Sequence, residues 1–128
     1  MIRGMVFGVF DGLHDGHKNF LSRAAEQCDE LIVVLTLPEM VQQLKGRLPA
    51  RSFETRLADI KSFNANFAVV GGDTMLGEWK VLKDHQPDRI FLGYDQQGIA
   101  GELMKLKIPY MILESYNPEQ YKSSLLSQ

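Results

Sequence analysis

Gly8-Val9-Phe10-Asp11-Gly12-Leu13-His14-Asp15-Gly16-His17 joins an apolar, strand-like run (Met5–Val9) to a helix-like run (Lys18–Gln27). Two histidines three residues apart stand at the mouth of that helix, and positions i and i+3 share one helix face. First-turn N–H groups have no intrahelical acceptors and carry the positive end of the helix dipole. Backbone donors and two imidazoles are therefore expected to converge on one phosphate. Gly8 and Gly12 read as the residues that permit a tight reversal, and Gly16 as the one that leaves no side chain between the rings. Neither Gly-x-Gly-x-x-Gly nor the Gly-Lys-Ser/Thr of a P-loop is present at this turn. Imidazole, rather than a glycine cradle, is expected to hold the anion.

Outward from this stretch, strand-like and helix-like segments alternate. Strands are expected at Ile2–Gly8, Glu30–Thr36, Phe67–Val70, Arg89–Leu92 and Tyr110–Leu113. Helices are expected at His17–Cys28, Glu39–Lys45, Phe53–Phe63, Leu76–His85 and Ile99–Leu106. Short, near-continuous runs such as Leu31–Leu35 read as parallel strands covered on both faces. The expected fold class is α/β: a three-layer, Rossmann-like, doubly wound parallel sheet of five strands, in a single domain over residues 1–128. Ligands in such sheets bind beyond the carboxyl ends of the strands, where strand order reverses. Residues 8–17, 36–47, 71–75 and 93–97 all map to that edge.

Composition narrows the function classes. The chain has 128 residues, 45% apolar and 23% charged, which is ordinary for a globule with a sizeable core. A net charge of −2 argues against non-specific nucleic-acid binding, though local cations can still serve a small anionic ligand. The single cysteine, Cys28, cannot form an internal disulfide and suits a reducing compartment; it reads as a small buried residue at the end of the first helix. No run reaches 18 apolar residues and no signal-peptide pattern opens the chain, so a cytoplasmic protein without membrane contact is expected.

Lys45, Arg47, Arg51 and Arg56 place four cations in twelve residues, on a Gly/Pro-marked loop and the helix after it. Lysine offers a mobile point charge and arginine a planar fork, both suited to a triphosphate. Asp11 could be a metal ligand, a general base or an internal clamp; an Asx-type hydrogen bond to nearby backbone, with contact to an acceptor substrate, is the reading preferred. Asp15 is expected to face solvent. Gly93-Tyr94-Asp95-Gln96-Gln97 ends the fourth strand with polar groups able to read a base or ribose. Trp79 reads as a packing residue in a helical stretch.

The segment at residues 8–17 resembles the Gly-x-Phe-Asp-x-x-His-x-Gly-His signature of the cytidylyltransferase-like nucleotidyltransferases, matching at Gly8, Phe10, Asp11, His14, Gly16 and His17. The likeness continues through Glu30–Val34 and Met40–Arg47, which look like the second strand and lysine-bearing loop of archaeal FAD synthetases. Phe91–Gln96 is similar to their Leu-Gly-x-Asp-Gln stretch, and Ser123-Ser124 sits where the family carries a Ser/Thr-rich motif. Two positions depart from the pattern: Val9 stands where many relatives have Thr or Ser, and Tyr121-Lys122 stands where an arginine is usual.

The resemblance implies a nucleotidyltransferase that joins a nucleoside monophosphate from a triphosphate to a phosphorylated small molecule, releasing pyrophosphate. Adenylyl transfer to FMN is preferred; cytidylyl transfer to a polyol phosphate or phosphonate, or a non-catalytic nucleotide-binding module, are the alternatives. His14, His17 and Lys45 are the implied catalytic residues. Gly8, Val9, Phe10, Gly16, Arg56, Gly93, Asp95, Ser123 and Ser124 would contact the nucleotide, and Asp11 and Arg47 the acceptor. Mg²⁺ would arrive on the nucleotide, with no dedicated protein metal site. The expected assembly is a homodimer.

Overall fold

The near-continuous apolar runs become strands whose two faces are both covered. The computed structural model describes residues 1–73, 79–93, 104 and 109–113, with the side chains of 44 and 45 outside that description. In chain order the elements are β1 (Arg3–Gly8), α1 (Asp15–Glu26), β2 (Glu30–Leu35), α2 (Pro38–Lys45), α3 (Phe53–Phe63), β3 (Ala68–Gly71), α4 (Lys80–His85), β4 (Arg89–Gly93) and β5 (Tyr110–Leu113). The helix expected at Ile99–Leu106 lies outside the described residues, save position 104, and so does most of 76–79.

All strand pairs are parallel, in the order β3-β2-β1-β4-β5, which is the doubly wound arrangement expected. Alternate side chains feed two cores. Val6, Leu31, Val33, Leu35 and Phe91 pack with Leu21 and Ala24 of α1 and Ile60 of α3. Met5, Ile32, Val34, Ile90 and Leu92 face the other way and pack with Val81 and Leu82 of α4. Three layers result, helix on sheet on helix.

Chain direction reverses its march across the sheet at β1, which has β2 on one side and β4 on the other. The β1–β2 register runs from Arg3–Glu30 to Gly8–Leu35, whereas the β1–β4 register ends at Val6–Phe91. Both β1 and β4 continue two residues beyond that last pair. The carboxyl ends of these two strands therefore part at the topological switch point, where the candidate residues gather.

Both ends of the first helix and the start of α4 differ from expectation by two residues or more. The first helix begins at Asp15 rather than His17, because His14 caps it. Trp79 is not helical: it precedes α4 in a left-handed conformation (φ 53°), with its ring edge-on to Phe7 at 5.7 Å. Asp73 Oδ1 accepts the Val81 N–H at 2.9 Å and so serves the first turn of α4.

Candidate active site

The turn after β1 is shaped by an aromatic ring in a glycine's empty place. A Cβ on Gly8 would lie 2.6 Å from Cε2 of Phe10. Phe10 itself takes the left-handed conformation (φ 49°), as does Gly12 (φ 93°), whose N–H donates to the Phe10 carbonyl at 3.0 Å. The reversal thus belongs to Phe10 and Gly12; Gly8 stays in the strand and makes room for the ring. A left-handed non-glycine residue costs roughly 1–2 kcal/mol, which the burial of the Phe10 ring offsets.

His14 has extended backbone (φ −104°, ψ 177°) and folds its ring over the first turn of α1. Its Nδ1 accepts from the N–H of Gly16 at 3.0 Å and of His17 at 3.3 Å. Two of the N–H groups expected to meet an anion are therefore already bonded, Gly16's among them, because the histidine itself is the cap. The same bonds define the ring's chemistry: with Nδ1 an acceptor, the proton of the neutral ring sits on Nε2. The His17 ring stacks on that of His14, centroids 3.7 Å apart and planes 19° apart. Phe10 meets His17 edge-on at 5.3 Å. Asp15, in the first turn, is exposed.

Asp11 is an internal clamp, though not a local one. Its Oδ2 accepts the Ala50 N–H at 2.7 Å and its Oδ1 the Arg51 N–H at 2.8 Å, some forty residues along the chain. Both carboxylate oxygens are spent on the loop between α2 and α3. Arg56, expected to contact the nucleotide, is fully buried. Its Nη1 donates to the carbonyls of Val9 (3.1 Å) and Thr36 (2.9 Å), and its Nε to that of Arg51 (3.2 Å). Burial lowers the guanidinium pKa from its ordinary value, with the charges of Asp11 and Glu54 opposing that shift; arginine remains charged at neutral pH regardless.

The other expected residues distribute as follows. Lys45 ends α2 and Gly46 caps it in the left-handed conformation (φ 75°); the Lys45 side chain lies outside the described residues. Arg47 is exposed. Arg51 is half-exposed, 3.6 Å from Asp59 in an ion pair, and its Nε borders Gly12. Gly93 ends β4 beside the switch point. Asp95, Gln96, Ser123 and Ser124 lie outside the described residues. No group of three His, Cys, Asp or Glu suited to a metal ion occurs among the described residues.

Sequence reasoning missed the backbone groups of Val9, Thr36, Ala50 and Arg51 as parts of one network. A signal for it existed: Arg56 shares the inward face of α3 with Phe53 and Ile60, at spacings of three and four. A charge on that face must satisfy itself inside the protein.

Residues 5–126 match the family model described as cytidylyltransferase-like. The chain belongs to that family. The FAD synthase of Thermococcus sibiricus is 35% identical over 97% of this chain and 85% of its own length. The FAD synthase of Pyrococcus abyssi is also 35% identical, over 88% of this chain and 84% of its own. Among solved structures, the lipopolysaccharide core biosynthesis protein of Thermoplasma volcanium superposes with a TM-score of 0.75 at 32% identity, covering 91% of this chain and 97% of that one. Pantoate-beta-alanine ligase from Francisella tularensis, at 13% identity and a TM-score of 0.61, shares the fold alone.

As a cytidylyltransferase-like protein with these relatives, the chain is a nucleotidyltransferase. The geometry suits that chemistry. Nucleotidyl transfer asks for alignment and for donors to a phosphorus that gathers charge in the transition state, without a covalent intermediate on the enzyme. With Nδ1 accepting backbone N–H groups, the neutral His14 ring presents an Nε2–H beside the switch point, stacked on a second imidazole.

Proposed function

We propose that this chain transfers AMP from ATP to FMN, forming FAD and releasing pyrophosphate. The observation that carries the reaction type is the stacked His14–His17 pair at the carboxyl end of β1. The choice of adenylyl group and flavin acceptor is supported by FAD synthases at 33–35% identity that align with 88% or more of this chain.

In this reading a phosphate oxygen of FMN attacks the α-phosphorus of ATP. A bond forms between them as the bond to the bridging oxygen of the β-phosphate breaks, and pyrophosphate leaves. His14 Nε2–H and His17 donate to non-bridging oxygens of the transferring group, where charge accumulates. Lys45 neutralises the β- and γ-phosphates, and Arg47 lies toward the acceptor. Magnesium enters as part of the substrate, MgATP, and screens the phosphate charge. Each Asp11 oxygen accepts a backbone N–H, which supports a structural role for this carboxylate.

The test is a matrix of ATP and CTP against FMN, glycerol 3-phosphate and a phosphonate acceptor, followed by pyrophosphate release. ATP with FMN is expected to turn over. A site that hydrogen-bonds one base edge penalises a base leaving polar groups unpaired, so CTP should be poor rather than slightly worse. Turnover with CTP alone would replace the reading by cytidylyl transfer. Silence in every combination, with nucleotide still bound, would favour a non-catalytic nucleotide-binding module.

A further inference from the structure

Three chain segments meet beside the histidine pair: the turn after β1, the end of β2, and residues 46–52 between α2 and α3. Two side chains tie them together. Asp11 takes the N–H groups of Ala50 and Arg51. Arg56 gives to the carbonyls of Arg51, Val9 and Thr36. The backbone at Arg51 is thus held at both ends, its N–H by a carboxylate and its carbonyl by a guanidinium. Residues 46–52 otherwise run outside helix and strand, with Arg47, Leu48, Ala50 and Arg51 exposed. They have little apolar burial to hold them in place.

We propose that Asp11 and Arg56 are positioning residues: together they latch residues 46–52, with the cation Arg51 among them, against the histidine turn, and so govern affinity for the phosphate tail of the nucleotide. The latch uses charge-assisted bonds to backbone, the stronger class of hydrogen bond. Arg56 commits its Nε and Nη1 to carbonyls, and its Nη2 is buried without a hydrogen-bond partner among the described residues. That is an expensive way to hold a loop unless its position matters. A latch of this kind acts on ground state and transition state alike, so its loss should weaken binding rather than slow chemistry. The inference rests on the chain being a nucleotidyltransferase, and not on which base or acceptor it uses.

The test combines calorimetry with amide exchange on the full chain. Asp11→Ala should lower affinity for ATP or CTP about tenfold, the scale of one charge-assisted hydrogen bond. Affinity for AMP or CMP should fall by less than about twofold, because the displaced Arg51 serves the outer phosphates. The Ala50 and Arg51 amides should exchange faster while those of α1 and α3 keep their protection. Asp11→Asn keeps one acceptor and turns a donor toward the other N–H, so it should fall between. It serves as the working variant if the alanine form does not fold. Equal losses for tri- and monophosphates would overturn the proposal, as would unchanged triphosphate affinity in a variant whose two amides exchange faster. Exchange at those amides unaltered by either substitution would overturn it as well. If the unsubstituted protein bound no nucleotide, the reading of the site would fail, and the exchange measurement would still decide whether the latch exists.

Discussion

Both ends of the sheet use the same device, a carboxylate that accepts backbone N–H groups and an arginine that donates to backbone carbonyls. At the amino end, Asp29 accepts from Ile2, Asp88 accepts from Arg3, and Arg3 donates to the His85 carbonyl. Arg3 also pairs with Glu30 at 3.1 Å, their side chains 38% and 40% exposed. At the carboxyl end, Arg56 is 0% exposed and makes no ion pair among the described residues; its partners are carbonyls. The amino-end contacts are exposed or part-buried, so water screens their charges and each pin is worth little. At the carboxyl end the Asp11 bonds are exposed as well, and it is the Arg56 side chain that pins the backbone out of water, where a misfit costs more but the geometry is rigid. The buried pin lies at the end of the sheet where the phosphate chemistry is proposed.

The largest expected effect lies at the carboxyl end. His17→Ala should lower turnover about 10²–10³-fold, as loss of one preorganised donor commonly does, with a smaller change in triphosphate affinity. Pyrophosphate release under saturating substrate would measure it, and turnover equal to wild type would remove His17 from the mechanism. The next effect sets the two ends directly against each other. Arg56→Met should lower unfolding stability by about 1–3 kcal/mol, since three carbonyls lose a donor inside the protein. Arg3→Met should cost at most about 1 kcal/mol, as exposed pairs do. Urea titrations of the two variants supply the comparison, and equal losses would erase it.

The smallest effect concerns Cys28, half-buried beside Gly4 with its thiol donating to the Ala24 carbonyl at 3.4 Å. Burial pushes the Cys28 thiol up from its ordinary value of 9.0. At any given pH less thiolate is then present in the folded than in the unfolded protein, so alkylation at pH 8 should be slower in the native state. The associated stability is complete below the unfolded value and declines as pH climbs through the folded one. Equal alkylation rates in native and denatured protein would contradict the burial.

Much of the fold was legible because parallel strands covered on both faces are written as unbroken apolar runs. β1, β2, β3, β4 and β5 each begin or end within one residue of expectation, and α3 agrees at both ends. The histidine pair was legible from its spacing of three, although His14 stands ahead of the helix as its cap and not within it. What escaped notice depended on contacts distant in sequence or on unusual backbone. Nothing local marks Phe10 as left-handed; its ring is drawn there by the space above Gly8. Asp11 advertised an acceptor without naming Ala50 and Arg51 as its donors. His14 as a helix cap was missed because histidine is not among the usual capping residues, although an unprotonated ring nitrogen can accept as a hydroxyl oxygen does.

The fit of Phe10 into the space above Gly8 also constrains how this chain can change. A methyl group at position 8 has no room while the ring is there, and the ring has no reason to leave its slot while position 8 is bare. Each residue therefore decides whether a substitution at the other is harmful or harmless. Gly8→Ala should be damaging in the present chain and far less so after Phe10 has been shortened. An evolutionary path to a different turn must take those two steps in one order and not the other.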